Sequence, residues 1–358
     1  MSEEQPDPAS QPEPATAASE PPTGQPELTD GVVVLRAWRA EDLEVAVAGH
    51  DEEIAYWFGA EEPASYASRP DLVATWHRSF LEDPATTAFV VEHDGTLVGG
   101  VAVRNRGDRI GDLRWWLYGA HRGHGLATRA VRLLADYALR ELNMGRVEAR
   151  VDPENQRSLR VATRAGLRRE GVVRGRHERP ESTGYVLLGR LATDPPITEP
   201  ESFRALLNSF LPRKRAIAQM LVRDEQDRVL LCRLTYKKDW DLPGGVVEVG
   251  ESPRLAVARE VEEELGLCLK TGDLLLTDWL PAWSGWDDAL CLVFDGGLHP
   301  DSLLEEVVEQ TREIRSAQFC DPDEVRAHCA DFTARRIESA LRALRGGGPS
   351  SYTESGRF

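Results

Sequence analysis

The stretch from Gly245 to Leu267, GVVEVGESPRLAVAREVEEELGL, has the most informative pattern in the sequence. Ser252 followed by Pro253 is typical of a helix start, because the serine side chain caps free amide groups and proline fits the first turn. Gly266 is typical of a helix end, where a left-handed residue is needed. We therefore expect one helix over about 253–265.

Acidic side chains cover one side of this expected helix. At about 100° per residue, Glu260, Glu263 and Glu264 share one face, and Glu262 lies outside it toward solvent. The opposite arc is apolar and should pack on a sheet; it holds Leu255, Ala258, Val261 and Leu265. Like charges at this spacing repel each other and oppose the helix dipole, so a bound Mg²⁺ or Mn²⁺ would offset their cost. By itself, the run EVEEE is more typical of a solvated acidic face.

The residues around these carboxylates are spaced as in a known family. The chain resembles the Nudix hydrolase signature at Gly245, Glu251, Arg259, Glu260, Val261, Glu263, Glu264, Gly266 and Leu267. WDLPGG at 240–245 is also similar to that family, and the resemblance covers about 213–345. It implies an α/β/α sandwich that hydrolyses a nucleoside diphosphate linked to another moiety. It also implies catalytic and Mg²⁺- or Mn²⁺-binding roles for Glu260, Glu263 and Glu264, with the Gly245 carbonyl as a further metal ligand.

The resemblance leaves the general base and the substrate open. Glu263 or Glu264 could serve as the base, as could an acid outside the signature, namely Glu305, Glu306 or Glu309. We expect Arg259 and Glu251 to pair and to hold the loop against the helix. Three tryptophans follow in a segment where this family often builds its specificity pocket: Trp279, Trp283 and Trp286. They could stack on a nucleobase or pack in the core.

A second pattern lies in the first half of the chain, where the strand-like DLRWWLY leads through a glycine-containing loop into a helix-like stretch. The loop residues are Arg122, Gly123, His124, Gly125, Leu126, Ala127 and Thr128. Two glycines let a ligand approach the backbone closely, and the amide groups would point at an anion in front of the helix. Taken alone, the loop is also compatible with an ordinary turn between a strand and a helix.

This second stretch resembles the GNAT acetyltransferases, whose R/Q-x-x-G-x-G/A loop binds the pyrophosphate of acetyl-CoA. The resemblance covers about 31–192 and assigns cofactor binding to residues 122–128. Asn155, Ser158 and the run ATRAGLRREG are similar to the subgroup that acetylates ribosomal-protein N-termini. It implies acetyl transfer to an amine or a protein N-terminus, with Asn155 and Ser158 near the leaving sulfur and Glu148 as a candidate base. The final strand, HERPESTGYVLLGRL, departs from the family pattern.

Length and composition divide the chain into segments. The 358 residues predict two domains of α+β class, a GNAT-like domain over 31–192 and a Nudix domain over 213–345, joined by a linker over 193–212. Residues 1–30 carry seven acidic and no basic side chains, so we expect a disordered acidic tail there. We also expect a flexible tail over 346–358.

Charge and cysteine usage restrict the partners. A net charge of −17 argues against binding nucleic acid or an anionic membrane surface. The five scattered cysteines are typical of reduced thiols, and we expect a cytoplasmic protein without a secretory signal. The combined prediction is a bifunctional enzyme acting on small molecules. The alternative keeps the hydrolase and makes the first domain only a CoA-binding or interaction module.

Overall fold

Valine- and leucine-rich strands build the sheet of the first unit, which reaches Leu211 in this computed structural model. The structure describes residues 24–175, 179, 181–346 and 352–357. The strands of this unit are β1 (Leu28–Thr29), β2 (Val34–Ala37), β3 (Thr86–His93), β4 (Thr96–Asn105), β5 (Ile110–Leu117), β6 (Arg146–Val151), β7 (Arg168–Arg174) and β8 (Gly184–Leu191). They lie in the order β1-β2-β3-β4-β5-β6-β8-β7, with β5 and β6 parallel and the other neighbours antiparallel.

Helices cover both faces of this sheet. They are α1 (Asp42–Gly49), α2 (Glu52–Trp57), α3 (Pro63–Ala67), α4 (Pro70–Glu82), α5 (Leu126–Arg140), α6 (Gln156–Arg164) and α7 (Pro200–Phe210). The apolar stripe of α5 packs on one face, where Val131 and Leu134 are fully buried. A second core on the other face is rich in aromatic residues and includes Trp38, Ile54 and Trp116. The sheet therefore has an apolar layer on each of its two faces.

Local sequence signals in this unit match the structure at the β3–β4 hairpin. Asp94 and Gly95 form its turn with φ of 50° and 73°, as a two-residue hairpin loop requires. Residues 28–29, which the sequence assigns to the acidic tail, form β1 against β2, and residues 1–23 lie outside the described residues. The segment 193–212, expected as a linker, contains α7, which packs on β7 and places Phe210 against the core.

The second unit begins at Pro212 and has its own sheet. Its strands are β9 (Arg215–Asp224), β10 (Val229–Leu234), β11 (Gly244–Val246), β12 (Leu274–Leu280), β13 (Ala289–His299), β14 (Ile314–Cys320) and β15 (Tyr352–Glu354). Its helices are α8 (Pro253–Leu265), α9 (Pro322–His328) and α10 (Asp331–Leu344). The strand order is β14-β10-β9-β13-β12-β15, with β11 paired to β9. Helix α8 packs on one face and α9 and α10 on the other, so the predicted α/β/α sandwich and α+β class are confirmed.

The structure differs from the sequence prediction at the C-terminal end, where the sequence predicts a flexible tail. Strand β15 pairs in parallel with β12, and Thr353 is fully buried. The reason is Asp278, a fully buried carboxylate that needs hydrogen-bond donors. It accepts hydrogen bonds from Thr353 Oγ1 at 2.8 Å, from the Gly356 amide at 2.9 Å and from Arg336 Nε at 2.8 Å. Two of its three donors therefore come from this C-terminal segment.

Two further features concern the cysteines and the helices. Cys232, Cys291, Cys320 and Cys329 are buried, Cys268 is exposed, and all five are free thiols. Within the described part of the chain, no helix combines the length and the apolar character needed to cross a bilayer.

Candidate functional sites

A cleft opens in the first unit where β5 and β6 separate. The two strands pair in parallel from Ile110–Arg146 to Asp112–Glu148, and the pairing ends there although both strands continue. Because paired strands lie about 4.8 Å apart and these do not stay paired, the space between them widens into a cleft. Its cavity volume is about 680 Å³, and both α2 and the glycine loop line it.

The glycine loop presents backbone rather than side chains to this cleft. Gly123 and Gly125 have φ of 86° and 79°, in the left-handed region that favours glycine. No atom lies within 4 Å of where a Cβ would stand at either position, so the backbone is open on this side. Gly125 is the N-cap of α5, whose first amide groups have no partner within the helix. Leu126 is buried in the core, and His124 is exposed.

Arg122 turns away from the loop and toward α2. Its Nε donates to the Leu117 carbonyl at 2.9 Å, and its Nη1 and Nη2 donate to Glu53 and Asp51 at 2.7 Å each. Asp51 is the N-cap of α2, and its side chain also accepts from the Ile54 amide. Arg122 therefore fixes the start of α2 beside the glycine loop in this conformation.

Asn155, Ser158 and Glu148 lie near the same cleft with identifiable partners. Asn155 is buried and is the N-cap of α6, where its Oδ1 accepts from the Ser158 amide at 3.0 Å. Both residues line the cleft. The oxygens of Glu148 accept hydrogen bonds from Arg146 at 3.1 Å and Arg150 at 2.6 Å. Glu148 is therefore a poor candidate for the base, because guanidinium groups already occupy both of its oxygens.

In the second unit, helix α8 contacts the short strand β11 through a hydrogen bond from a backbone amide to a side-chain carboxylate. The Gly244 amide donates to Glu264 Oε2 at 3.0 Å. Gly244 has a φ of 133°, and a Cβ there would stand 2.2 Å from the Ala218 carbonyl oxygen, so only glycine fits beside β9. A Cβ on Gly245 would stand 2.5 to 2.8 Å from the carboxylate of Glu260. The two glycines thus bring both carboxylates directly against the backbone of β11.

Arg259 links three carboxylates at the surface of this helix. It donates to Glu251 from Nε at 3.0 Å and from Nη2 at 3.1 Å, which confirms the predicted loop-to-helix pair. Its Nη1 lies 2.9 Å from Glu260 Oε1 and 3.0 Å from Glu263 Oε2. Arg259 therefore neutralises two of the predicted metal ligands in this conformation.

Burial and like charges perturb the carboxylates of this helix. Burial raises the pKa of Glu264 to about 7, the charges of Glu260 and Glu313 add to this effect, and the Gly244 amide opposes it. Burial also raises the pKa of Glu260, against the opposing effect of Arg259. Glu313, whose charge acts on both of these carboxylates, was not predicted from the sequence. It lies just before β14, in a segment that donates from the Val308 and Gln310 amides to the last carbonyl groups of α8.

The donor set at this helix suits a hard cation although its members are not gathered. Among the residues that the structure describes, no group of three or more His, Cys, Asp or Glu side chains converges closely enough to hold a metal. Glu264 is buried, Glu260 is largely buried, and the Glu263 side chain is 59% exposed and paired with Arg259. Carboxylates packed against the Gly244–Gly245 backbone, with the pKa of two of them raised by burial, fit a divalent cation by chemistry and charge.

Comparison with known proteins assigns both halves of the chain. Residues 33–168 match the family described as "Acetyltransferase (GNAT) domain", and residues 212–341 match "NUDIX domain". A MutT-like protein of Streptomyces ambofaciens is 34% identical over 142 residues, which is 40% of this chain and 84% of that protein. The spermidine N(1)-acetyltransferase of Escherichia coli is 31% identical over 144 residues, 39% of this chain and 74% of that protein. A match to "Probable N-acetyltransferase YjcK" of Bacillus subtilis, 48% identical over 62 residues, covers 17% of this chain and 34% of that protein.

The chain belongs to both families. It joins a GNAT acetyltransferase domain to a Nudix hydrolase domain, as its two motifs indicate.

The apolar arc predicted for the Nudix helix was partly wrong. Val261 and Leu265 are fully buried as expected, but Leu255 is 65% exposed, and Ala256 and Val257 are buried in its place. The buried face is rotated because Glu264 belongs to it, held by the Gly244 amide. Glu262 is exposed as predicted. The carboxylate and apolar arcs therefore overlap, and one predicted ligand lies among the core residues.

The residues proposed as the general base, or for stacking on a nucleobase, also have defined positions. Glu305, Glu306 and Glu309 are exposed. Trp279 is half-buried on β12, and its Nε1 donates to Asp288 at 3.4 Å. Trp283 and Trp286 are 67% and 59% exposed, so core packing does not explain either, and the Arg215 guanidinium lies 4.8 Å from the centre of the Trp286 ring.

Proposed function

We propose that the full chain catalyses two reactions. The Nudix domain hydrolyses a nucleoside diphosphate-linked substrate with Mg²⁺ or Mn²⁺. The GNAT domain transfers the acetyl group of acetyl-CoA to an amine, which includes a protein N-terminus as an acceptor. The observation that supports the first reaction is the packing of Glu260 and Glu264 against the glycines of β11. The observation that supports the second is the open glycine loop at the cleft between β5 and β6.

In the hydrolase, Glu260, Glu263 and Glu264 are the proposed metal ligands, with the Gly245 carbonyl beside them. A divalent cation held there would neutralise pyrophosphate oxygens and activate water for attack on phosphorus. The protein's own part is to hold the carboxylates: the Gly244 amide orients Glu264, and Arg259 keeps Glu260 and Glu263 on one side of the helix. Glu313 adds a fourth carboxylate whose charge acts on both Glu260 and Glu264, and we include it in the proposed site.

A matched pair of variants tests the hydrolase site. Glu263→Gln should abolish Mg²⁺-dependent release of phosphate-containing products from a panel of nucleoside diphosphate derivatives. Glu262→Gln, one residue away on the exposed side, should leave it unchanged. Both variants should keep acetyl-CoA binding. Retention of hydrolysis in Glu263→Gln would exclude the proposed ligand set.

In the acetyltransferase, the amide groups at the start of α5 are the proposed binding site for the pyrophosphate of acetyl-CoA, across residues 122–128. Arg122 acts by fixing α2 beside the loop. Asn155 holds the first turn of α6, and Ser158 lies in that turn near the proposed position of the leaving sulfur. The amine loses a proton during transfer and the thiolate gains one, so a base and an acid are both needed.

A second matched pair tests the glycine loop. Gly125→Ala should raise the KM for acetyl-CoA, because alanine is strained at a φ of 79° and would shift the backbone at the start of α5. Gly107→Ala has a similar φ of 89° and equally open surroundings, in a turn outside the cleft lining, and should leave that KM unchanged. Release of the free thiol with a panel of amines separates a transferase from a module that only binds CoA.

A further inference from the structure

Five buried polar side chains form a hydrogen-bonded network in the core of the Nudix domain. Asp278, near one end, accepts hydrogen bonds from Thr353 Oγ1 and from Arg336 Nε, both at 2.8 Å. Arg336 Nη1 donates to Gln219 Oε1 at 3.0 Å, and Gln219 Nε2 donates to Asp241 Oδ1 at 2.8 Å. The five residues are between 0% and 8% exposed. This buried network therefore runs without a break from the C-terminal segment to Asp241.

The charges of the buried network are balanced. Arg336 lies 2.8 Å from Asp278 and 3.9 Å from Asp241. Lys237 Nζ donates to the second oxygen of Asp241 at 2.6 Å. Because the network contains ionic groups inside the core, the loss of one member leaves a buried partner unsatisfied. The contacts therefore depend on one another more than surface contacts do.

Gln219 can adopt only one orientation in this network. A guanidinium group has donors and no acceptor, so the oxygen of the Gln219 side chain faces Arg336 and its amide nitrogen faces Asp241. On the backbone, Gln219 is the partner of Gly244 in the ladder between β9 and β11. Asp241 Oδ1 also accepts from the Leu242 amide at 3.0 Å. Gln219 and Asp241 thus hold the segment that leads into β11.

The position of β11 is important for the proposed hydrolase site. The Gly244 amide donates to Glu264 Oε2 at 3.0 Å, and a Cβ on Gly245 would stand against the Glu260 carboxylate. A displacement of about 1 Å at a catalytic site can reduce the rate about a hundredfold. The buried network therefore connects the C-terminal segment to the backbone that orients these carboxylates.

We propose that Gln219, Arg336 and Asp278 are positioning residues of the hydrolase, and that full hydrolysis requires residues 352–357 to be docked on them. This proposal rests on the proposed hydrolase function. The three side chains act without touching substrate, because they fix β11 against Glu264. The C-terminal segment is then a functional part of the hydrolase although it lies outside the signature.

Hydrolysis by full-length variants tests the positioning role of Gln219, with ADP-ribose, GDP-mannose and UDP-glucose as substrates in the presence of Mg²⁺. Gln219→Glu keeps the size of the side chain and places an acceptor in front of Asp241, so the facing oxygens repel. We expect kcat to fall about tenfold or more at a similar KM, since the carboxylates are displaced and the contacts to the nucleoside are not. Gln226→Glu makes the same change at an exposed position between β9 and β10 and should leave both values unchanged.

The C-terminal segment is tested by a second matched pair. Thr353→Val removes one donor from Asp278 and should lower kcat about threefold or more through the buried network. Thr353→Ser keeps the hydroxyl group and should retain the wild-type kcat. A serine variant that is as impaired as the valine variant would overturn the role of this hydrogen bond.

Hydrogen exchange at pH 7.5, without substrate or metal, distinguishes positioning from a general loss of stability. In Gln219→Glu, protection should fall in peptides from β11 and stay near the wild-type level in peptides from β14. Equal falls in both strands, or wild-type protection in β11, would overturn the proposal. If the wild type hydrolyses none of the three substrates, the proposed hydrolase function fails with them, and the exchange comparison alone decides whether the network positions β11.

Discussion

Two buried histidines make the acetyltransferase domain sensitive to acid. His50 and His77 are 5% and 1% exposed, and their ring centres lie 5.6 Å apart among the rings of the aromatic core. Burial lowers the pKa of His50 to about 4, against the opposing charge of Asp51. Burial and the neighbouring His50 lower the pKa of His77 to about 3. Both imidazoles are therefore neutral in the folded domain at pH 5 and above.

The direction and size of the change in folding stability follow from these two pKa values. In the unfolded chain both histidines bind protons below about pH 6.5, whereas in the folded domain they do so only near pH 4 and 3. Between these limits the unfolded state holds more protons, so the stability that is present above pH 6.5 falls as the pH falls. From pH 7.5 to pH 5 each histidine costs about 2 kcal/mol, so the pair costs about 4 kcal/mol.

Hydrogen exchange read by mass spectrometry measures this loss in one domain of the full chain. In peptides from β3, β4 and α4, we expect protection corrected for the intrinsic exchange rate to fall about a thousandfold between pH 7.5 and pH 5. The double variant His50→Phe with His77→Phe should lose most of this pH dependence. His93→Phe, a partly exposed histidine on β3, is the matched control and should retain it. An equal fall in the double variant and the wild type would refute the reasoning.

Three further predictions concern single contacts. Thr353→Val removes one donor from the buried Asp278 carboxylate, so the Nudix domain should lose about 1–3 kcal/mol in urea unfolding, and a loss near zero would contradict a docked C-terminal segment. Gly244→Ala should separate β11 from β9 and reduce hydrolysis about a hundredfold or more, because a Cβ would stand 2.2 Å from the Ala218 carbonyl oxygen; unchanged turnover would argue against this register. Asn155→Ala should destabilise the acetyltransferase domain by about 1 kcal/mol in the same unfolding assay, since α6 loses its cap.

The sequence predicts the local elements of the Nudix motif well and their orientation less well. Ser252, Pro253 and Gly266 mark the ends of α8 correctly because these signals depend on residues close in the chain, although the Ser252 side chain makes no capping hydrogen bond. The buried face of α8 could not be predicted in the same way. Helical periodicity cannot show that Glu264 is buried because it accepts a hydrogen bond from the Gly244 amide of a separate strand. Leu255 is exposed for the same reason. A polar residue with a specific partner overrides the apolar pattern, and the partner is set by the tertiary fold.

Two other features could not be predicted from the sequence, for a related reason. The segment 352–357 is short and polar, and it is ordered because Asp278, more than seventy residues away, needs its donors. Glu313 lies outside the signature, and long-range backbone hydrogen bonds place its segment beside the end of α8, from Val308 and Gln310 to α8 and from the Thr235 amide to Glu313. Neither case has a local signal. Long-range pairing of buried polar groups decides both.

The arginines of the two motifs show that a match to a motif does not by itself reveal what a side chain does. Arg122 and Arg259 belong to the two motifs, yet each side chain is engaged by carboxylates of its own domain. A cation held by two or three acidic groups is already neutralised and offers little net attraction to a phosphate. Its effect is then positional, since Arg122 fixes α2 beside the glycine loop and Arg259 gathers Glu251, Glu260 and Glu263. In the glycine loop beside Arg122, backbone amides remain available to an anion, because the glycines expose them. Replacing either arginine with lysine should therefore disturb geometry more than charge, because one ammonium group cannot hold two or three carboxylates in the fork that guanidinium provides.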